Sequence, residues 1–112
     1  MNVEALNPQP AQMEPFNRTR ERFIPERSGC YVLTTFGREV LYVGLAKNLR
    51  RRMSNHLDSE AKRAVTALGR ASLFFWIESG EIERIERTWM NIHIQNEGGL
   101  PILNRVYSPV AT

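Results

Sequence analysis

The chain has 112 residues, 42% of them hydrophobic and 24% charged, which suits one soluble domain with one core and leaves no length for a second. Its net charge is only +3, and of its 15 Lys+Arg only Lys47 and Lys62 are lysines; that arginine bias suits phosphate oxygens and equally suits surface ion pairs. The single cysteine, Cys30, excludes an internal disulfide and a cysteine-built zinc site, and no stretch approaches the roughly 18 apolar residues of a membrane span or the apolar core of a signal peptide, so a cytoplasmic protein without a membrane partner is expected.

Residues 1–27 hold four of the six prolines, Pro8, Pro10, Pro15 and Pro25, and mix Arg18, Arg20, Arg22 and Arg27 with Glu14, Glu21 and Glu26. Proline interrupts regular structure and the charges resist burial, so this segment reads as an extended arm, with Phe16, Phe23 and Ile24 available to pin it. The folded domain is expected over 28–107, with a short tail at 108–112. A strand over 30–34, a turn at Phe36-Gly37-Arg38 and a returning strand over 40–43 make a hairpin. Asn48 caps a helix over 49–57, and Ser59 and Glu60 start a second helix that Gly69 ends. The aromatic run 72–77 reads as a buried strand, and a third helix spans about 81–95. Gly98-Gly99 break it, and 100–104 follows as a short extended piece. The expected domain is therefore α/β, of the α+β kind: a small, mainly antiparallel sheet of three strands flanked by helices.

On the first helix, at about 100° per residue, Leu49, Met53 and Leu57 form an apolar stripe. Arg52 and His56 share one edge of it, Arg50 lies on the other edge, and Arg51 points away. Residues 44–70 carry seven basic side chains against the acidic Asp58 and Glu60, which suits either a phosphate-binding surface or a solvated helix face. On the third helix, Ile82, Ile85, Trp89 and Ile92 turn inward, and Glu86 and His93 fall on the same side. A carboxylate there is costly unless an arginine or a metal ion pairs with it. His93 reads as a satisfied core or edge histidine. Tyr31 and Tyr42 lie on the paired strands, where tyrosine is common, yet each stands close to a glycine.

Together, Gly29-Cys30-Tyr31 and Tyr42-Val43-Gly44 resemble the two signatures of the GIY-YIG nucleases, with the tyrosines 11 positions apart. The segment from Tyr42 to Leu57 is similar to that family's passage from its second signature into its first helix. Glu86 matches its metal-binding glutamate, and Pro101-Ile102-Leu103-Asn104 its terminal proline-to-asparagine element. Cys30 and Val43 replace isoleucines, and Leu45 replaces a lysine often found there, with Lys47 two positions on as a partial substitute.

The resemblance, which covers about 28–105, implies metal-dependent endonucleolytic hydrolysis of DNA phosphodiesters by in-line attack of water. Glu86 would hold Mg²⁺ or Mn²⁺, with Glu83 as the rival ligand. Arg52 would grip non-bridging oxygens, either Tyr31 or Tyr42 would take the water's proton, and His56 would orient a tyrosine or touch phosphate. Gly44, Lys47, Arg50, Arg51 and Asn104 are the further substrate-binding candidates. A non-catalytic nucleic-acid-binding module and an RNA-directed nuclease are the alternatives. Nucleic acid, most naturally DNA, is the expected partner, with a homodimer or a separate targeting subunit supplying whatever specificity the chain lacks.

Overall fold

The computed structural model describes residues 1–105. Strands β1 (Gln12–Pro15), β2 (Gly29–Thr34), β3 (Val40–Ala46) and β4 (Leu73–Glu78) form one sheet in the order β1-β4-β2-β3, with every neighbouring pair antiparallel. Helices α1 (Leu49–Leu57), α2 (Glu60–Arg63) and α3 (Ile82–Glu97) flank it. The expected α+β architecture forms, with four strands where three were expected.

The extra strand comes from the N-terminal segment. Gln-Met-Glu-Pro carries no strand-like apolar run; it pairs because β4 would otherwise leave an open edge, and an open row of backbone donors and acceptors is satisfied by any compatible chain. Gln12 faces Trp76 and Pro15 faces Leu73, placing the proline at the end of an edge strand where its missing N–H costs no ladder bond. The segment is not a free arm. Val3, Leu6, Phe16 and Ile24 are buried in the core, and the Phe16 N–H donates to the Ser72 carbonyl at 2.8 Å. Phe23, expected as a third pin, is instead exposed, with the Arg20 and Arg22 guanidinium groups 4.4 and 4.9 Å from its ring centroid.

Two other segments differ from the sequence expectation. Helix α2 stops at Arg63 rather than running to Gly69, because Val65 and Thr66 are β-branched and the Thr66 hydroxyl donates to the Gly69 carbonyl. Gly69 closes that loop at φ +120°, a conformation open to glycine. Residues 101–105 form a turn rather than an extended piece: the Asn104 N–H donates to the Pro101 carbonyl at 2.9 Å. The expected tail at 108–112 lies outside the described residues.

The pleat sorts the core onto two faces. Tyr31, Leu33, Phe74 and Trp76 face α1 with Leu49 and Met53. Cys30, Val32, Val43 and Phe75 face α3 with Ile85 and Trp89. No helix among the described residues is long and apolar enough to cross a membrane.

Candidate active site

The pairing of β2 with β3 sets Tyr31 opposite Gly44 and Leu33 opposite Tyr42, which places both tyrosines on the α1 face of the sheet. Gly44 is glycine for a steric reason. A Cβ there would lie 2.5 Å from the Tyr31 ring and hydroxyl, closer than any real contact, so the bare backbone is what lets the Tyr31 ring lie across β3. At Gly29 a Cβ would run into the Ile77 carbonyl and the Leu49 side chain, so that glycine seats β2 against β4 and α1. The Tyr31 ring stacks on Phe74 with centroids 5.0 Å apart and stands 6.0 Å from Tyr42.

Helix α1 begins where the Asn48 side chain accepts from the Arg51 N–H at 3.0 Å. One turn then separates Arg52 from His56, and His56 reaches the core: its Nε2 lies 2.5 Å from the Tyr31 hydroxyl, and its ring centroid 5.1 Å from that of Tyr42. Burial, reinforced by the charges of Lys62 and Arg52, pushes the His56 pKa down to about 3, so the imidazole is neutral at neutral pH. Tyr31 is 1% exposed. Burial holds its phenol well above the usual tyrosine value; Tyr42 adds to this by charge and hydrogen bonding, and the Arg52 charge opposes it.

Strand β3 is an edge of the sheet, and a groove of about 330 Å³ lies over its C-terminal end. Lys47, Arg51, Arg52 and Asn55 line one wall, and Ile82 and Glu83 at the start of α3 line the other. Among the described residues, none of Lys47, Arg51 and Arg52 has a carboxylate within ion-pair distance. Glu86, one turn beyond Glu83, is half-buried, and its charge is felt at Tyr31 and Cys30. Burial raises its carboxyl pKa, the neighbouring Glu83 adds to that, and Arg87 opposes it. Its carboxylate has no hydrogen-bond or ion-pair partner among the described residues.

Those residues contain no group of three His, Cys, Asp or Glu able to cage a metal ion. A half-buried carboxylate without a partner nevertheless fits a hard cation held through one protein oxygen, with water and phosphate oxygens completing its shell. Glu83, on the groove wall, is the second carboxylate in range.

Two expected substrate contacts are engaged elsewhere. The Arg50 guanidinium donates to the Ile24 carbonyl at 2.8 Å and to the Arg22 carbonyl at 3.2 Å, and pairs with Glu26 at 3.3 Å. Asn104 uses both halves of its amide on Val43, accepting from its N–H at 2.9 Å and donating to its carbonyl at 3.0 Å. It thereby ties down the edge strand that bears Tyr42 and Gly44. His93 is a satisfied histidine, with Nδ1 2.7 Å from the Gly99 carbonyl. Lys62, counted from the sequence only among the basic residues, joins the cluster: its Nζ lies 4.8 Å from the Tyr42 ring centroid. No spacing rule links it to Tyr42, because it comes from a different element; the only local signal is the Ser59 cap that starts α2.

A family model described as the UvrC-like GIY-YIG domain matches residues 27–85, which takes in Tyr31, Tyr42, Arg52 and His56 and stops one residue short of Glu86. The UvrABC system protein C of Rickettsia bellii is 38% identical over 64 residues, 55% of this chain and 10% of that protein. Its counterpart in Mesoplasma florum is 36% identical over 64 residues, again 55% of this chain and 11% of that protein. The Dictyoglomus thermophilum protein of the same name is 28% identical over 89 residues, 70% of this chain and 15% of that protein. The chain thus spans only about a tenth to a seventh of the length of these curated relatives.

Proposed function

The chain belongs to the UvrC-like GIY-YIG domain family, within the GIY-YIG nucleases, and from that premise we propose that it is an endonuclease hydrolysing DNA phosphodiester bonds with Mg²⁺ or Mn²⁺. The observation that supports this best is the division of charge across the end of β3. Lys47, Arg51 and Arg52, without a carboxylate partner among the described residues, line the groove together with Glu83. The charge of Arg52 reaches Tyr31 and His56, and the half-buried Glu86, whose carboxylate also has no partner among those residues, stands one helical turn beyond Glu83. Such a groove receives a phosphodiester on its basic wall and a divalent ion on its acidic one.

Arg52 and Arg51 grip the non-bridging oxygens, Arg52 nearest the tyrosines. Glu86 would hold the ion, which when bound would supply positive charge to the phosphate and the leaving oxygen. The attacking water loses its proton past Tyr42 to solvent, while His56, held neutral, positions the tyrosine pair. Tyr42 is partly exposed while Tyr31 is buried, so Tyr42 meets the water. Its oxygen takes the water's proton as its own hydrogen passes to solvent, while the Tyr31 hydroxyl donates to His56 Nε2 and keeps its hydrogen. A neutral imidazole protonated on Nδ1 offers the Nε2 lone pair that accepts this hydrogen bond. The water oxygen bonds to phosphorus, the bond to the leaving sugar oxygen breaks, and that oxygen takes a proton from solvent.

The test is nicking of supercoiled plasmid with Mg²⁺, with Mn²⁺ and with EDTA. Cleavage is expected only with metal, and Glu86→Gln is expected to reduce it at least about a hundredfold, the scale on which loss of one transition-state contact registers. The same substitution removes a carboxylate whose raised pKa penalises the folded state above that pKa. Its thermal unfolding at neutral pH should therefore not fall, and any gain should vanish as the pH drops through the carboxyl's folded-state pKa. Metal-dependent nicking retained by Glu86→Gln would remove Glu86 from the site, and an inert wild type that still binds DNA would favour a binding module.

A further inference from the structure

Lys62 mirrors Glu86. Both are half-buried charges with no opposite partner among the described residues, and both stand at the tyrosine cluster. The Ser59 hydroxyl fixes the start of α2 by accepting from the Lys62 N–H at 3.2 Å. From there the side chain reaches the Tyr42 ring, with its ammonium 4.8 Å from the centroid. Tyr42 in turn stands 5.1 Å from His56 and 6.0 Å from Tyr31, centroid to centroid. His56 feels the charges of both Lys62 and Arg52. The two cations, carried by different helices, therefore bracket the same aromatic cluster.

An aromatic face offsets only part of the hydration an ammonium loses on burial, and burial accordingly lowers the Lys62 pKa. An anion over Tyr42 would restore what is lost. We propose that Lys62 is a second phosphate-binding residue beside this groove, taking a backbone phosphate oxygen of the bound strand where its ammonium covers the Tyr42 ring. Three N–H donors on a compact charge suit a single phosphate oxygen, whereas the planar Arg52 fork suits two. The strand's path then leaves the wall of Lys47 and Arg51, passes over the tyrosines and continues toward α2.

This inference rests on the nuclease reading, so its test measures binding and not turnover. A fluorescein-labelled duplex oligonucleotide is titrated with the full chain in EDTA at a series of salt concentrations, for wild type, Lys62→Met and Lys62→Arg. Lys62→Met should weaken Kd by about three- to tenfold at low salt and lower the slope of log K against log salt by about 0.9, the loss of one phosphate contact on a duplex. Lys62→Arg should keep the wild-type slope. Thermal unfolding of Lys62→Met is followed in parallel; a packing role for Lys62 would move the unfolding curve and leave the slope alone. An unchanged slope and a Kd within twofold of wild type would overturn the phosphate assignment while leaving the nuclease reading intact. A wild type with no salt-dependent DNA binding would bring down both.

Discussion

Helix α1 has two flanks, and they treat the same residue type in opposite ways. On the flank facing the N-terminal segment, arginines are consumed. Arg50 binds the Ile24 and Arg22 carbonyls and Glu26, while Arg18 reaches across to the Ser54 hydroxyl at 3.0 Å and to Asp58. On the groove flank, Arg51 and Arg52 have no carboxylate partner among the described residues. The N-terminal backbone also absorbs two free donors of the first helical turn, since Pro25 and Arg27 accept from the N–H groups of Arg50 and Leu49 at 3.2 and 2.9 Å. Arginine count therefore says little about phosphate binding here. What decides is whether the chain's own carbonyls and carboxylates reach the guanidinium first.

The largest effect that would break this comparison comes from exchanging the two flanks' roles. Arg52→Ala should lower the nicking rate by about a hundredfold with little change in unfolding, because the role proposed for its guanidinium is to contact the reacting phosphate and no carboxylate among the described residues pairs with it. Arg50→Ala should do the reverse, leaving the rate within a few-fold and lowering stability by about 1–2 kcal/mol, since two backbone carbonyls lose their donor. Urea unfolding and plasmid nicking on both variants check the pair. Equal losses of rate from the two would mean that Arg50 leaves its carbonyls when DNA binds.

The same distinction separates two buried histidines. His93 on α3 is satisfied by Gly99, whereas His56 on α1 holds the Tyr31 hydroxyl. The His56 pKa is depressed from 6.5 to about 3, so the unfolded chain binds that proton more readily than the folded one. The stability His56 contributes is fully present above pH 6.5 and is lost progressively as the pH falls toward 3. His56→Phe should flatten that acid dependence, which denaturant melts between neutral and acid pH would read. His93, also depressed by burial but among charges that oppose one another, should contribute the weaker slope. In cleavage, a His56 that stays neutral places no acid limb near pH 6.5, and His56→Phe should reduce the rate by about tenfold or more at every pH, as loss of a group that positions the reacting cluster does. A limb near the ordinary histidine value would show that His56 is not held neutral.

Much of this was legible before the fold. The hairpin, the capped first helix, the aromatic third strand of the sequence reading and the inward Glu86 all follow from alternation, helical period and cap residues, which act over a few positions. The N-terminal strand was not legible, because Gln-Met-Glu-Pro has no periodicity of its own and pairs only because β4 offers an edge. The fates of Arg50 and Asn104 were hidden for a related reason. Each is engaged by backbone far away in sequence, Arg50 by residues 22–26 and Asn104 by Val43. Lys62 was missed because the ring it covers lies on another element. The sequence announces which groups can carry chemistry and is silent on which of them the rest of the chain has already engaged.

Cys30 supplies the smallest effect. It stands beside Tyr31 in the chain but on the opposite face of the sheet, and its thiol donates to the Ile82 carbonyl at 3.0 Å. Burial first, and then the negative charge of Glu86, push its pKa up to about 12, so it is a thiol and not a thiolate at any working pH. Proximity to Glu86 gives it no reactivity; the carboxylate's charge suppresses it. Alkylation by iodoacetamide should run at least about a hundredfold slower on the native protein than on the urea-unfolded chain, since thiolate and access are both lacking. Cys30→Ala should keep nicking within about twofold while lowering stability modestly, as truncation of a small buried side chain does. Rapid native alkylation would require β2 and the start of α3 to separate often enough to expose the thiol. Glu86 could not then stay fixed relative to Tyr31, and the comparison between consumed and poised groups would have to be redrawn around a groove that opens.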